Sequence, residues 1–371
     1  MTVLQLISSS GFYGMENMLM ELAVGLRRCG VRAVIGVFED ARDPHTELAD
    51  QAQRRGFVVE RIPCSGRLDL TSVKTIRDLI ATHDIDVIHS HGYKADIYSW
   101  LAGRRRQAQI ATSHNWPSHR WNMRVYAAVD RLVLSRFDAV AVVSQLVARK
   151  LRRWGVKPGA ITSIPNGVDL ERFRDARPTL RNQISANGGL VIGCVGRAIH
   201  AKGGREFVEA ARLVLARFPD VNFVWVGGGP ALSDWKGLAT RLGIEGRVHF
   251  VGARNDMHEV YASLDIVALP SLEEAMPMCL IEAMAAGLPV VATEVGAVNQ
   301  VVQMGITGIL VPPGDGSALA TAMMRLIGDR GLARAYGEAA RRRATELFSI
   351  EKTARRYIDI YVGALAGCRA L

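Results

Sequence analysis

Two glutamates, Glu274 and Glu282, stand eight positions apart in the stretch from Pro270 to Ala292. Glu274 precedes a predicted helix that has Pro277 in its first turn, where a residue without an N–H group costs nothing. The helix is predicted to end at Gly287. Glu282 lies within it among apolar neighbours, and a carboxylate in such surroundings needs a partner. A pair of ligand hydroxyls would supply one. For Glu274 the alternative is a cap on the unpaired N–H groups at the helix entrance.

Two cations, Arg197 and Lys202, stand five positions apart in a glycine-rich loop between a buried strand and a helix that is predicted from Arg205. An arginine presents a planar fork of donors and a lysine a mobile point charge. The pair therefore suits a diphosphate group. The alternative is a pair of solvated cations without a ligand.

A second glycine loop, from Ser8 to Gly14, lies between the first predicted strand and a helix with apolar residues at helical spacing. Backbone N–H groups at such a helix entrance can bind an anion. The alternative is that the glycines only make the turn.

Three histidines lie at or near the ends of predicted strands. His91 and His114 are predicted to follow their strands, and His89 is predicted to lie inside one as a buried, hydrogen-bonded residue. A loop histidine without a chemical role is the alternative for His114.

The candidates are positioned by strands that alternate with helices. This alternation implies parallel sheets, in which ligands bind beyond the carboxyl ends of the strands. The predicted strands span 3–7, 31–38, 86–89, 109–113, 138–144, 161–165, 190–195, 222–226, 248–251, 266–269 and 288–292.

The motifs together resemble those of retaining glycosyltransferases with the GT-B fold, sequence family 4 (glycosyltransferases group 1). Glu274 and Glu282 match the E-x7-E signature of that family, and the run EAMAAGLPVVAT follows as it does there. The family's Gly-Arg…Lys-Gly, Gly-x-Glu and Pro-Asn-Gly-Val-Asp elements match positions 196–203, 14–16 and 165–169. Ala275-Met276 departs from the Gly-Phe that often follows the first glutamate.

The resemblance implies roles for individual residues. Glu274 would lie near the donor sugar, and Glu282 would bind the ribose of the nucleotide. Arg197 and Lys202 would hold the diphosphate. His114 would contact the donor sugar, which makes His114 and Glu274 the candidate catalytic residues, and Gly14 would lie near the diphosphate and the acceptor.

The resemblance also implies the fold, an α/β architecture of two doubly wound Rossmann-like domains that face a central cleft. Residues 1–173 would form the acceptor-side domain and 174–188 a linker. Residues 189–349 would form the nucleotide-sugar-binding domain, and a helix within 350–371 would cross back to the first domain.

The expected activity is transfer of a sugar from a UDP-, GDP- or ADP-sugar to an acceptor hydroxyl with retained configuration, without cofactor or metal. The setting would be assembly of cell-surface polysaccharide, lipopolysaccharide or glycolipid. A nucleotide-sugar epimerase and a noncatalytic nucleotide-sugar-binding protein remain as alternatives. An NAD enzyme is disfavoured because the first glycine loop lacks G-x-G-x-x-G spacing.

The positive charge is concentrated in one segment. Residues 97–157 hold twelve Lys/Arg and two Asp/Glu, a net charge of +10 that equals the formal net charge of the whole chain. Three interpretations of this segment compete: a solvated basic face without a partner, binding of nucleic acid, and attachment to an anionic membrane surface. No nucleic-acid-binding module is present, so membrane attachment through residues 104–157 is favoured, with Trp116 and Trp121 at headgroup level.

The five cysteines are scattered and show no metal spacing, which indicates reduced thiols in the cytosol. The amino terminus predicts a strand rather than a signal peptide, and no apolar run is long enough to span a membrane. These features predict a cytoplasmic protein, with peripheral attachment to the inner face of the membrane if the basic segment binds lipid.

Overall fold

The structure is a computed structural model that describes residues 1–9, 11–40, 45–66, 69–103, 106–114, 129–184 and 188–369. The chain forms two compact units. The first contains Met1–Gly167 together with Ile350–Leu371, and the second contains Val168–Ser349.

The first unit is built on a parallel sheet with the strand order β3-β2-β1-β4-β5-β6-β7. Its strands are β1 (Thr2–Ile7), β2 (Arg32–Glu39), β3 (Val58–Pro63), β4 (Val87–His91), β5 (Ala108–Ser113), β6 (Ala139–Val142) and β7 (Ile161–Ser163). The helices that connect them include α1 (Gly14–Arg28), α2 (Glu47–Arg54), α3 (Leu70–Thr82), α4 (Tyr93–Ala102) and α5 (Gln145–Arg153).

The central strands of this sheet are covered on both faces. Leu4 and Leu6 of β1 pack with α3 and α4 residues in one core, and Ile7 packs with α1 and α2 residues in another. Burial on both faces explains why β1 consists almost entirely of apolar residues. Gln5 is a polar residue in the middle of this strand and is fully buried.

The second unit repeats this plan with the strand order β10-β9-β8-β11-β12-β13. Its strands are β8 (Val191–Val195), β9 (Asn222–Val226), β10 (Val248–Gly252), β11 (Ile266–Leu269), β12 (Val290–Thr293) and β13 (Gly308–Val311). Its helices are α6 (Leu180–Gln183), α7 (Gly204–Leu215), α8 (Leu232–Arg241), α9 (Met257–Ala262), α10 (Met278–Ala285), α11 (Val298–Val301), α12 (Gly316–Gly328) and α13 (Arg330–Leu347).

Aromatic residues fill the core of the second unit between β9 and helices α7 and α8. Trp225 is fully buried, and its ring lies 4.5 Å from that of Trp235 and 5.8 Å from that of Phe207. This packing holds the carboxyl ends of the central strands in fixed positions.

The last helix, α14 (Ile350–Arg369), belongs to the first unit. Tyr357 and Tyr361 on this helix are buried. At Gly25 of α1, an added Cβ would come within 2.9 Å of Ile350 and Ala354 atoms. The glycine therefore allows α1 and α14 to approach each other closely.

The predicted doubly wound α/β architecture is confirmed, with two corrections in detail. Strand β3 was not predicted, since Glu60 and Arg61 interrupt its apolar pattern. His91 does not follow β4 but is its last residue, and it is 1% exposed.

Candidate functional site

The strand order of the second sheet reverses between β8 and β11. From β8 the chain proceeds to β9 on one side, and from β11 to β12 on the other. Parallel α/β sheets bind ligands outside the carboxyl ends of the strands at such a reversal. Arg197 and Lys202 follow β8, and Ser271 and Glu274 follow β11, so these side chains come from the two loops at this point.

Lys202 and Glu274 form a largely buried ion pair. Lys202 Nζ donates to Glu274 Oε1 over 2.5 Å, and Ser271 Oγ donates to the same oxygen over 2.8 Å. The Glu274 side chain is 7% exposed and that of Lys202 is 25% exposed. Burial alone lowers the pKa of Lys202, but the Glu274 carboxylate outweighs it, so the pKa is raised and the amine keeps its charge.

The alternative role of Glu274 as a helix cap is not what the structure shows. Its hydrogen bonds within the described chain are those to Lys202 and Ser271. Pro277 precedes α10 as its N-cap, with an extended conformation, rather than lying in its first turn. Gly287, with φ +78°, follows the end of α10 as the sequence predicted.

Two glycines allow the loops of this site to approach each other. A Cβ added at Gly203 (φ +69°) would lie 2.0 Å from the Pro270 carbonyl oxygen, and one at Gly296 (φ +55°) would lie 1.7 Å from the Glu274 carbonyl oxygen. Both positions combine a left-handed backbone with backbone contact, which only glycine accepts.

Gly296→Ala is expected to displace the backbone of Glu274 and to lower turnover at least about tenfold, since an angstrom of misplacement at a site costs this much or more. The matched control is Gly314→Ala, because Gly314 has φ +76° but open space around an added Cβ. Both variants place an L-residue in a left-handed conformation, which costs about 1–2 kcal/mol, but only the Gly296 variant brings a Cβ into contact with the Glu274 backbone. Steady-state rates and melting temperatures test this, and equal losses in the two variants would contradict it.

Glu282 has the partner that its burial requires. The carboxylate is 6% exposed, and its Oε2 accepts a hydrogen bond of 2.8 Å from the Tyr261 hydroxyl. The same hydroxyl lies 3.1 Å from the Cys279 carbonyl oxygen. Burial, and then the charge of Glu282, raises the pKa of Tyr261 well above its usual value, so the phenol remains a donor. Tyr261 therefore holds one carboxylate oxygen in place.

Arg197 has an exposed side chain, and hydrogen bonds hold the backbone on either side of it. The neighbouring Gly196 N–H donates to Val226 O over 3.0 Å, and the Trp225 indole N–H donates to Gly196 O over 3.1 Å. Ala198 N–H donates to Gly228 O over 2.8 Å. These bonds fix the loop that carries Arg197.

In the first unit, Gly14 is the first residue of α1, and an added Cβ there would meet no atom within 4 Å. The fold of this unit therefore does not itself require glycine at this position. Glu16 is buried and accepts hydrogen bonds from the Tyr13 N–H over 3.0 Å and from Ser9 Oγ over 3.1 Å. It fixes the turn that leads into the helix.

His114 follows β5 and is half-buried. Its Nε2 lies 3.5 Å from Nδ1 of His91. Burial lowers the pKa of His114 to about 4, so the ring is neutral near pH 7. His89 is buried as predicted, with Nδ1 2.7 Å from the Tyr361 hydroxyl and Nε2 2.7 Å from Thr112 Oγ1.

Part of the basic segment lies outside the described residues, including Trp116, Arg120, Trp121, Arg124 and Tyr126. Across the described ranges, no helix has the length and apolarity that crossing a bilayer requires. In the same ranges, no three His, Cys, Asp or Glu side chains are grouped so that they could hold a metal ion.

Two family models match the chain. One describes glycosyltransferase family 4 and covers residues 12–172, and the other describes glycosyl transferases group 1 and covers residues 189–329. The chain is 31% identical to the phosphatidyl-myo-inositol mannosyltransferase of Mycolicibacterium smegmatis, over 87% of this chain and 83% of that protein. This chain belongs to glycosyltransferase family 4.

Two further similarities of this family 4 glycosyltransferase agree with the family assignment. It is 27% identical to the UDP-Gal:alpha-D-GlcNAc-diphosphoundecaprenol alpha-1,3-galactosyltransferase of Escherichia coli, over 86% of each chain. Anabaena Alr3699/HepE in complex with UDP-glucose superposes with a TM-score of 0.82 at 26% identity, over 97% of this chain and 98% of that one. The fold is GT-B, and the protein is a glycosyltransferase that uses a nucleotide-sugar.

Several residues of the candidate site were not predicted from the sequence. Ser271 and Tyr261 hold Glu274 and Glu282, and Gln5 contacts His91. A polar residue inside an apolar strand was the available signal for Gln5. Tyr261 and Ser271 gave no comparable signal.

Proposed function

We propose that this glycosyltransferase moves a sugar to an acceptor hydroxyl with retention of the anomeric configuration. The observation that carries the proposal is the ion pair between Lys202 and Glu274 at the strand-order reversal, with Arg197 in the same loop as Lys202. Arg197 and Lys202 hold the diphosphate, and Glu282 binds the ribose. Glu274 positions hydroxyls of the donor sugar.

In the proposed reaction, the bond between the anomeric carbon and the diphosphate oxygen breaks, and its electron pair leaves with the nucleoside diphosphate. The acceptor oxygen attacks from the same face, and its proton passes to the departing phosphate. Arg197 and Lys202 stabilise the charge on the leaving group. A covalent intermediate would need a nucleophile beneath the anomeric carbon, and the sequence offers no obvious candidate. His114 and Gly14 contact the donor.

Release of nucleoside diphosphate by the purified protein tests this function. UDP-, GDP- and ADP-sugars are each supplied with and without liposomes that carry a polyprenyl or glycolipid acceptor. We expect release from one donor that rises with acceptor, and an α-configured product from an α-linked donor by NMR. Inverted product would refute retention. Release without any transfer product would favour an isomerase, and donor binding without turnover would favour a noncatalytic binder.

We expect activity to persist in excess chelator, since the two cations Arg197 and Lys202 replace the metal charge at the diphosphate. The measurement is the rate before and after EDTA treatment, with added manganese as the control. Loss of activity with the chelator and its return with manganese would contradict metal independence.

We propose a lipid-linked or membrane-surface glycan as acceptor, in assembly of cell-surface polysaccharide, lipopolysaccharide or glycolipid. The names of the Escherichia coli and Mycolicibacterium relatives, which include diphosphoundecaprenol and phosphatidyl-myo-inositol, support this class. The panel of UDP-, GDP- and ADP-sugars identifies the base of the donor.

We propose that the basic segment, residues 104–157, attaches the protein to the inner face of an anionic membrane. On α5 the apolar residues Val147, Ala148 and Leu151 are buried, while four cations are exposed: Arg149, Lys150, Arg152 and Arg153. The exposed Leu132 (61%) and Leu146 (42%) belong to the same segment. Each cation near an anionic surface contributes about 1 kcal/mol.

Flotation with liposomes tests the attachment. We expect the protein to float with anionic vesicles and not with neutral ones, and replacement of the four α5 cations by glutamine to abolish flotation. The matched control replaces four exposed cations of the second unit, Arg212, Arg217, Lys236 and Arg241, and should float normally. Equal absence from both vesicle types would refute the proposal.

A further inference from the structure

A chain of polar side chains crosses the interior of the first unit from α14 to His114. Gln5 Nε2 donates to the Tyr361 hydroxyl over 3.4 Å, and Gln5 Oε1 lies 2.7 Å from His91 Nε2. His91 Nδ1 lies 3.5 Å from His114 Nε2. Tyr361, Gln5 and His91 are each no more than 1% exposed. Buried polar groups of this kind are held in one arrangement, because an unmade hydrogen bond is costly there.

The orientation of the Gln5 amide sets the direction of every bond in this chain. Its carbonyl oxygen can only accept, so His91 Nε2 carries the proton. Burial, reinforced by His89 and His114, keeps the pKa of His91 well below its usual value, so the ring is neutral and Nδ1 has no proton. His91 Nδ1 is therefore an acceptor, and the donor that faces it is His114 Nε2–H.

The rest of the network agrees with this direction. The Tyr361 oxygen accepts from Gln5, which leaves its O–H to donate to His89 Nδ1 over 2.7 Å. His89 Nε2–H then donates to Thr112 Oγ1 over 2.7 Å. A neutral imidazole has one donor and one acceptor nitrogen, and both histidines of β4 satisfy that condition.

We propose that His91 is a positioning residue, which Gln5 orients and which fixes His114 in the tautomer with the proton on Nε2. His114 Nδ1 then presents a lone pair, so the group that it takes is a hydroxyl that donates a hydrogen bond. The identity of that hydroxyl as one of the donor sugar rests on the proposed function. His114 acts in this arrangement as a neutral acceptor and not as an acid.

Two substitutions of His91 separate its two contacts. His91→Asn keeps an oxygen near the position of Nδ1, and so keeps an acceptor for His114. His91→Gln keeps a polar group near the position of Nε2, and so keeps the contact with Gln5 but loses the acceptor. His83→Gln is the control. His83 lies in the same unit, but its partner Glu60 is not part of the network that links Tyr361 to His114.

The primary measurement is long-range ¹H–¹⁵N NMR of the full-length protein labelled with ¹⁵N-histidine, with His114 signals assigned by their loss in His114→Asn. We expect a protonated Nε2 and an unprotonated Nδ1 on His114 at pH 7. The pattern should persist in His91→Asn and His83→Gln and become a mixture of tautomers in His91→Gln. In the transferase assay, His91→Gln should lower kcat/KM about tenfold, the worth of one hydrogen bond, and His91→Asn should lower it less.

A proton on Nδ1 of His114 in the unmodified protein would overturn the inference, as would an unchanged tautomer in His91→Gln. Equal losses of kcat/KM in the two His91 variants with unaltered NMR patterns would also overturn it. The NMR result does not depend on turnover. Absence of transfer would therefore refute the proposed function alone, and a reversed tautomer with normal transfer would refute this inference alone.

Discussion

Lys202→Met is expected to lower kcat for sugar transfer by about 100-fold or more, since a single lost stabiliser of a departing charge costs this much in other enzymes. Methionine keeps a long side chain of similar shape and removes the charge. Alanine at Arg197 or Lys202 should reduce turnover strongly for the same reason, and alanine at Glu274 should do so because it removes the carboxylate that positions hydroxyls of the donor sugar. Rates near normal in all three variants, with the protein folded, would overturn the site assignment.

The same substitution should also destabilise the second unit, by about 3–5 kcal/mol, because it leaves the Glu274 carboxylate buried without its cation. The double variant Lys202→Met/Glu274→Gln should recover much of the stability and none of the turnover. Urea unfolding and steady-state rates separate the two effects. Arg205 and Glu209 form an exposed pair on α7 at 2.8 Å. Arg205→Met is the control and should leave the stability almost unchanged, because water screens an exposed ion pair.

Acid is expected to destabilise the first unit through its buried histidines. Burial lowers the pKa of His89 to about 3 and that of His114 to about 4, from a usual value of 6.5. Below pH 6.5 the unfolded chain takes up protons that the folded chain does not. The contribution of these histidines to the free energy of unfolding is therefore complete above pH 6.5 and declines as the pH falls towards 3. Between pH 7 and pH 5 the loss is about 2 kcal/mol for each of the two residues.

Hydrogen exchange of peptides from β4 and α14, in urea at pH 7, 6 and 5, measures the stability of the first unit separately from that of the second. The slope of the unfolding free energy with pH reports the number of protons taken up on unfolding. We expect His89→Gln to reduce that number by about one between pH 6 and pH 5. His200→Gln, at an exposed histidine of the second unit, should leave it unchanged. A stability of β4 that is flat between pH 7 and pH 5 would contradict the prediction.

The doubly wound sheets could be predicted from the sequence, because their central strands are buried on both faces and are therefore continuously apolar. The sequence was also sufficient to predict the end of α10 at Gly287. It was insufficient to predict β3, where Glu60 and Arg61 occupy a strand at the edge of the sheet. Half-exposed strands carry a weaker pattern, and a single sequence does not distinguish them from loops.

The candidate site, too, could be predicted only in part from the sequence. The spacing of Glu274 and Glu282 is local, so it could be recognised directly. The contact between Lys202 and Glu274 joins positions 72 residues apart and depends on which strands are neighbours. The bond from Tyr261 to Glu282 depends on how α9 lies against α10, which no local pattern encodes. Long-range side-chain contacts of this kind require the assembled fold.

The position of α14 has a consequence for biosynthesis. The ribosome makes residues 168–349 in full before it makes Ile350–Arg369, so the second unit emerges as one continuous stretch and can fold first. The first unit must wait, since Tyr357 and Tyr361 are the partners of Thr112 and His89 in its interior. Until α14 arrives, those polar groups lack their partners. A chain interrupted within the second unit therefore leaves the interior of the first unit without these two tyrosines.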